Sequence, residues 1–189
     1  KKAIDINGSY APALTNLGIV ELNSDNKQEA LSLLIKATES DPKLAPAWGN
    51  LANGYIQLGK TQQAEIACRK LIELEPNLFN SHFLLGTILL GQKKLKEAEL
   101  LLRKSIELNP NDPMAHSNLG SLFQELDKID ESILCYEAAI DLDKNLDSAI
   151  EGLGRALLKK GNHSDAIIKL RESIGSIGFN PEQCSITIY

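Results

Sequence analysis

The chain has 189 residues, 43% hydrophobic and 24% charged, with a formal net charge of −5. That length supports a core without disulfides or metal staples, and the acidic balance argues against nucleic acid, whose phosphates require a basic face. Three widely spaced cysteines, Cys68, Cys135 and Cys184, form no C-x-x-C pair and suggest neither a disulfide framework nor a zinc site.

Taken in chain order, KKAIDING near the N-terminus has the pattern of a second helix ending, with Ala3 in register with later alanines. Residues 1–10 are therefore expected to be the end of a preceding repeat helix. Because the chain also opens at Lys1 without methionine, it is expected to be an excerpt of a longer array. From Ala11 onward the sequence repeats every 34 residues without insertion, in rows starting at Ala11, Ala45, Phe79, Pro113 and Asp147. Such a period marks a solenoid.

Each row predicts two short helices, because apolar residues recur at three- and four-residue spacing on both sides of a polar break such as LGKTQQ (58–63) or LDKIDE (126–131). Asp112 before Pro113 is a helix start, a capping side chain ahead of a residue with no N–H to lose. Position 7 of every row is leucine: Leu17, Leu51, Leu85, Leu119 and Leu153. Position 8 is tiny (Gly18, Ala52, Gly86, Gly120, Gly154), and so is position 20 (Ala30, Ala64, Ala98, Ser132, Ala166). Glycine inside a helix costs up to about 1 kcal/mol, so its recurrence implies that positions 8 and 20 meet where backbones approach closely. Pro42, Pro76 and Pro110 at position 32 close the first three rows, after which the place relaxes to Lys144 and Asn180. The tail NPEQCSITIY begins like a capped helix and continues with β-favouring residues, so its structure is left open.

These features resemble the tetratricopeptide repeat (TPR), a 34-residue helix-turn-helix with an aromatic at 4, Leu-Gly at 7 and 8, Tyr at 11, Ala at 20 and Pro at 32. Row 45–78 carries Trp48, Leu51, Ala52, Tyr55, Gly59, Ala64 and Pro76. The resemblance implies an all-α, right-handed α-solenoid of five hairpins: 11–44, 45–78, 79–112, 113–146 and 147–180, with 181–189 as a tail. It departs at position 4, which holds Leu14, His82, His116 and Ile150 in the other rows, and at Ser132.

The resemblance further implies a concave groove lined by first-helix positions 2, 5, 6, 9, 12 and 13. Carried over, these positions give Asn16, Asn50, Asn53, Phe83, Leu84, Thr87, Met114, Asn118, Ser121 and Arg155 as peptide-binding candidates. Asn16, Asn50 and Asn118 share position 6, and a carboxamide both donates to and accepts from one peptide unit. The arrangement resembles the asparagine ladder of the repeat array in O-linked N-acetylglucosamine transferase. Three such residues at about 1 kcal/mol per bond and two bonds each supply at most about 6 kcal/mol, against an association cost of at least about 4 kcal/mol. Apolar anchors near Phe83, Leu84 and Met114 must then contribute most of the affinity. A two-carboxylate clamp on a chaperone tail needs Lys or Arg at positions 2, 5, 6 or 9 of several repeats, and only Arg155 qualifies.

His82 and His116 are too far apart in successive repeats to share a metal, since neighbouring helices lie about 8–10 Å apart; they are read as hairpin packing in place of Trp48. Cys68 is read as core and the Glu/Lys-rich outer helix faces as solvated surface. The expected function is a protein-interaction module holding an extended protein or peptide segment, without catalysis, cofactor, membrane span or nucleic acid, in the cytoplasm. Two alternatives stand beside it: the substrate-recruiting region of a larger glycosyltransferase or methyltransferase, and a scaffold that self-assembles through uncapped ends.

Overall fold

The computed structural model describes residues 10–174, 177–180 and 185–188, with side chains as far as Arg171. Among these residues there are ten helices: α1 (Ala11–Asn23), α2 (Lys27–Ser40), α3 (Ala45–Gln57), α4 (Thr61–Leu74), α5 (Phe79–Gly91), α6 (Leu95–Leu108), α7 (Pro113–Glu125), α8 (Ile129–Leu142), α9 (Asp147–Lys160) and α10 (His163–Ile174). Odd-numbered helices are the first helices of the rows and even-numbered ones the second.

The short turn inside each row is built the same way five times. Its fifteenth residue is left-handed: Asp25 (φ 62), Gly59 (φ 67), Lys93 (φ 60), Asp127 (φ 58) and Gly161 (φ 85). The paired bonds that follow are those of a Schellman motif. Gly59 N–H donates to the Ile56 carbonyl at 3.0 Å and Lys60 N–H to the Tyr55 carbonyl at 2.9 Å, and Asp127 and Lys128 repeat the pattern on Gln124 and Phe123. Asp112 caps α7 as its sequence implies, Oδ1 accepting from Ala115 N–H at 3.0 Å.

Two compact units emerge, Lys1–Gln92 and Lys93–Tyr189. In the first, α1 pairs with α2 and α3 with α4, and α5 packs on α4. Its core includes Ala11, Leu14, Leu33, Ala37 and Ala47, with Leu17 and Leu44 against them. In the second unit α6 packs on α7, α7 pairs with α8, and α9 with α10. There Ile133, Tyr136, Ala139, Ala149, Leu153 and Ala156 join the fourth and fifth rows.

The small residues have a reason somewhat different from the expected one. A Cβ on Gly18 would lie 2.7 Å from Leu34 Cγ and 3.4 Å from the Ala30 carbonyl oxygen; on Gly154, 2.6 Å from Leu170 Cγ and 3.4 Å from the Ala166 oxygen; on Gly120, 2.9 Å from the Tyr136 ring. Position 8 does meet the backbone of position 20, but the tighter partner is the large side chain at position 24. A glycine at 8 is the seat for a leucine or tyrosine at 24.

Position 4 is hydrogen-bonded packing. Trp48 Nε1 donates to the Pro42 carbonyl at 3.0 Å, and the Nε2 atoms of His82 and His116 lie 2.7 and 2.9 Å from the Pro76 and Pro110 carbonyls. Each ring ties a first helix to the proline that closes the row before it. Cys68 is fully buried, and burial pushes its thiol up to about 12.

After α10, Ile177–Asn180 and Ser185–Ile188 form a two-stranded antiparallel hairpin, Ile177 opposite Ile188 and Asn180 opposite Ser185. The last four residues of the fifth row are thus a strand, and SITI in the tail is its partner. The expectation for residues 1–9, and the helix start at 181–184, lie outside the described residues.

Candidate functional site

In the first unit, the turn after α4 and the first turns of α3 and α5 enclose a cleft of about 240 Å³ lined by Ala45, Pro46, Gly49, Asn50, Asn53, Leu71, Glu75, Leu78 and Asn80. Five of these, Pro46, Gly49, Asn50, Asn53 and Asn80, are groove positions of the implied concave surface. Gly49 has no side chain to fill the cleft, and Ala45, Leu71 and Leu78 form an apolar wall. Gly49 leaves Leu71 Cδ2 3.5 Å from where a Cβ would stand.

The carboxamides are partly committed. Asn50 Nδ2 donates to the Pro46 carbonyl of its own helix at 2.7 Å, which fixes the side chain and leaves Oδ1 and the second N–H for another partner. Asn53 and Asn80 are exposed, and so is Asn16 on α1. Phe83 and Leu84 are half-buried on α5, and Thr87, exposed, donates its Oγ1 hydrogen to the Phe83 carbonyl at 2.9 Å. The structure therefore brings Asn50 and Asn53 into one cleft, to which neither Asn16 nor Phe83 nor Leu84 contributes.

The second unit carries a different arrangement. Tyr136, only 1% exposed, comes up from α8 between α7 and α9, where Oη donates to Gln124 Oε1 at 2.9 Å and lies 3.0 Å from Ser121 Oγ. Gln124 Nε2 donates onward to the Gly152 carbonyl at 3.2 Å, and Ser117 Oγ lies 3.3 Å from Ser148 Oγ. Burial raises the Tyr136 phenol, the Ser121 hydrogen bond opposing it. Ser121 thus belongs to an internal network, while Met114 stays 42% exposed and Asn118 is half-buried. Arg155 is exposed and paired with Glu151 one turn back, so the one cation at positions 2, 5, 6 or 9 of the rows has a carboxylate already.

Sequence reading missed Leu71, Glu75 and Leu78, which sit at positions 27, 31 and 34, outside the first helix. It also missed Tyr136, whose signal was an aromatic at 24 with glycine both at position 8 of its own row and at position 6 of the next. The outer faces are not uniformly polar either: Ile66, Leu100, Leu134 and Ile168, all at position 22, are exposed by 66, 71, 65 and 55%. Among the described residues no group of three or more His, Cys, Asp or Glu is placed to hold a metal. No described helix is long and apolar enough to cross a membrane.

Family models of the tetratricopeptide repeat match residues 45–78 and 79–112, which coincide with the second and third rows, and residues 101–133, which run from the second helix of the third row into the fourth. The chain is a tetratricopeptide repeat protein. Its ten helices correspond to five repeats of an all-α solenoid. The solved structure of YrrB, described as a TPR protein with an unusual peptide-binding site, aligns with a TM-score of 0.78 at 25% identity, over 92% of this chain and 89% of that one. MamA from Desulfovibrio magneticus RS-1 aligns with a TM-score of 0.80 at 23% identity, over 87% and 93%. A chain of the APC/C hetero-tetramer Cut9–Hcn1 aligns with a TM-score of 0.78 at 22% identity, over 92% of this chain and 34% of that one. No curated protein matches the sequence. As a TPR protein the chain is a protein-interaction scaffold, a repeat module that in general carries no catalysis of its own.

Proposed function

We propose that this TPR protein binds an extended peptide segment along the first-helix face of its N-terminal unit, holding the backbone through carboxamides. The observation that carries this reading is the cleft at Gly49, where Asn50, Asn53 and Asn80 surround an apolar wall of Leu71 and Leu78. Carboxamides match the alternating donors and acceptors of an extended backbone, and the wall takes an aliphatic side chain. A TPR neighbour described as having a peptide-binding site supports the same use of the fold. A clamp on a C-terminal carboxylate is disfavoured, since no Lys or Arg lines this cleft and Arg155 is paired with Glu151.

The test is the double variant Asn50→Ala, Asn53→Ala. Each residue has about two hydrogen bonds to offer at about 1 kcal/mol each, so losing one residue's bonds weakens peptide binding by about 30-fold and losing both residues' by up to about 1,000-fold, with an unchanged circular dichroism spectrum. Undiminished binding by the folded variant would refute the reading.

A further inference from the structure

Resting on that reading, we infer that the cleft selects segments carrying a lysine or arginine, through the carboxylate of Glu75. Glu75 is the single charged residue lining the cleft; every other lining group is a carboxamide, an aliphatic side chain, proline or glycine. The same Glu75, with Leu78, also lines an adjoining recess of about 390 Å³ together with Pro76 and Asn77. The carboxylate therefore stands where two concavities meet, on the path a chain would follow from one to the other.

Nearby cations do not neutralise it. Arg69 is paired with Glu65 at 2.9 Å and Lys70 with Glu73 at 2.7 Å, and Glu75 makes no ion pair among the described residues. Its backbone is fully used, N–H to the Leu71 carbonyl at 2.8 Å and carbonyl to Leu78 N–H at 3.2 Å, which fixes the main chain from which the side chain springs at the end of α4. An exposed, positioned, uncompensated carboxylate beside an apolar wall suits a long cationic side chain. Leu71 and Leu78 cover the methylene stem and the head reaches the acid, the division of labour by which Lys and Arg lie along apolar surface. An ammonium or guanidinium bound to a carboxylate makes a hydrogen bond roughly twice as strong as a neutral one. The chain's net charge of −5 favours the approach of such segments from solution.

Biotinylated, C-amidated nonapeptide pools test this by biolayer interferometry. One pool has only uncharged residues, one has lysine fixed at the centre, and one glutamate. The folded protein should bind the lysine pool about tenfold more tightly than the uncharged pool and the glutamate pool more weakly still. Glu75→Gln should abolish the lysine advantage, so that the lysine and uncharged pools bind this variant equally. Equal binding of lysine and uncharged pools, weakened together by Asn50→Ala, Asn53→Ala, would overturn the cation selection and leave the groove standing. A lysine advantage that survives Glu75→Gln would overturn the role of Glu75, and binding of no pool at all would overturn both.

Discussion

Two helix-interior glycines give opposite expectations for one and the same substitution. A Cβ at Gly152 would lie 2.3 Å from Tyr136 Cζ and 2.7 Å from its Oη, and the ring has no retreat because it is 1% exposed and held by Gln124. Overpacking of this kind costs about 1–3 kcal/mol, against up to about 1 kcal/mol that alanine gains over glycine in a helix. Gly152→Ala should therefore destabilise by about 1–2 kcal/mol, a fall of about 2–8 °C in Tm at this chain length. At Gly49 the nearest atom, Leu71 Cδ2, is 3.5 Å from the added Cβ, an ordinary contact, so Gly49→Ala should stabilise by up to about 1 kcal/mol. Urea titration followed by circular dichroism measures both. A third arm isolates the cause: with Tyr136→Leu, the residue type found at the equivalent Leu34 and Leu170, Gly152→Ala should lose its penalty through a coupling of about 2 kcal/mol. The seat-and-ring account fails if Gly152→Ala stabilises like Gly49→Ala, or if its penalty persists in the Tyr136→Leu background.

Ala64, fully buried between the helices of its hairpin, should tolerate leucine poorly, by about 1–3 kcal/mol. The exposed Gln63 should accept it within about 0.5 kcal/mol; equal changes in Tm would contradict the packing. The Cys68 thiol, raised to about 12 from 9.0, adds stability that is complete below pH 9 and is lost as pH rises towards 12, because the unfolded thiol ionises first. At pH 10 this loss is about 1.4 kcal/mol. Urea midpoints of wild type under reductant should therefore fall towards those of Cys68→Ala between pH 8 and pH 10. Parallel pH profiles would count against a buried thiol.

Much of the fold was legible because it is written five times. Leucine at 7 beside a tiny residue at 8, the Asp112 cap and the proline exits each have a local physical cause, and the structure shows the cap and the packing roles of Trp48, His82, His116 and Cys68. The partner of position 8 was harder to read. Position 20 is recognisable by its smallness, whereas the contact with Leu34, Tyr136 or Leu170 depends on how far a side chain leans along its helix. Three of the five left-handed turn residues are Asp25, Lys93 and Asp127, so glycine content alone does not reveal that turn. Periodicity also cannot separate an inward apolar residue from the outward Ile66, Leu100, Leu134 and Ile168. Of the candidate site, Asn50 and Asn53 were legible through the groove positions that the tetratricopeptide resemblance implies, but Leu71, Glu75 and Leu78 reach the cleft from the end of α4 and its turn, where the sequence looks like ordinary surface.

The most direct test of the account is where a bound peptide touches the protein. Titration of ¹⁵N-labelled protein with the tightest-binding lysine nonapeptide should shift the amide of Gly49 and the side-chain amides of Asn50, Asn53 and Asn80. Shifts confined to the second helices, around Gln63 and Ile66, would place the partner on the opposite face and contradict it.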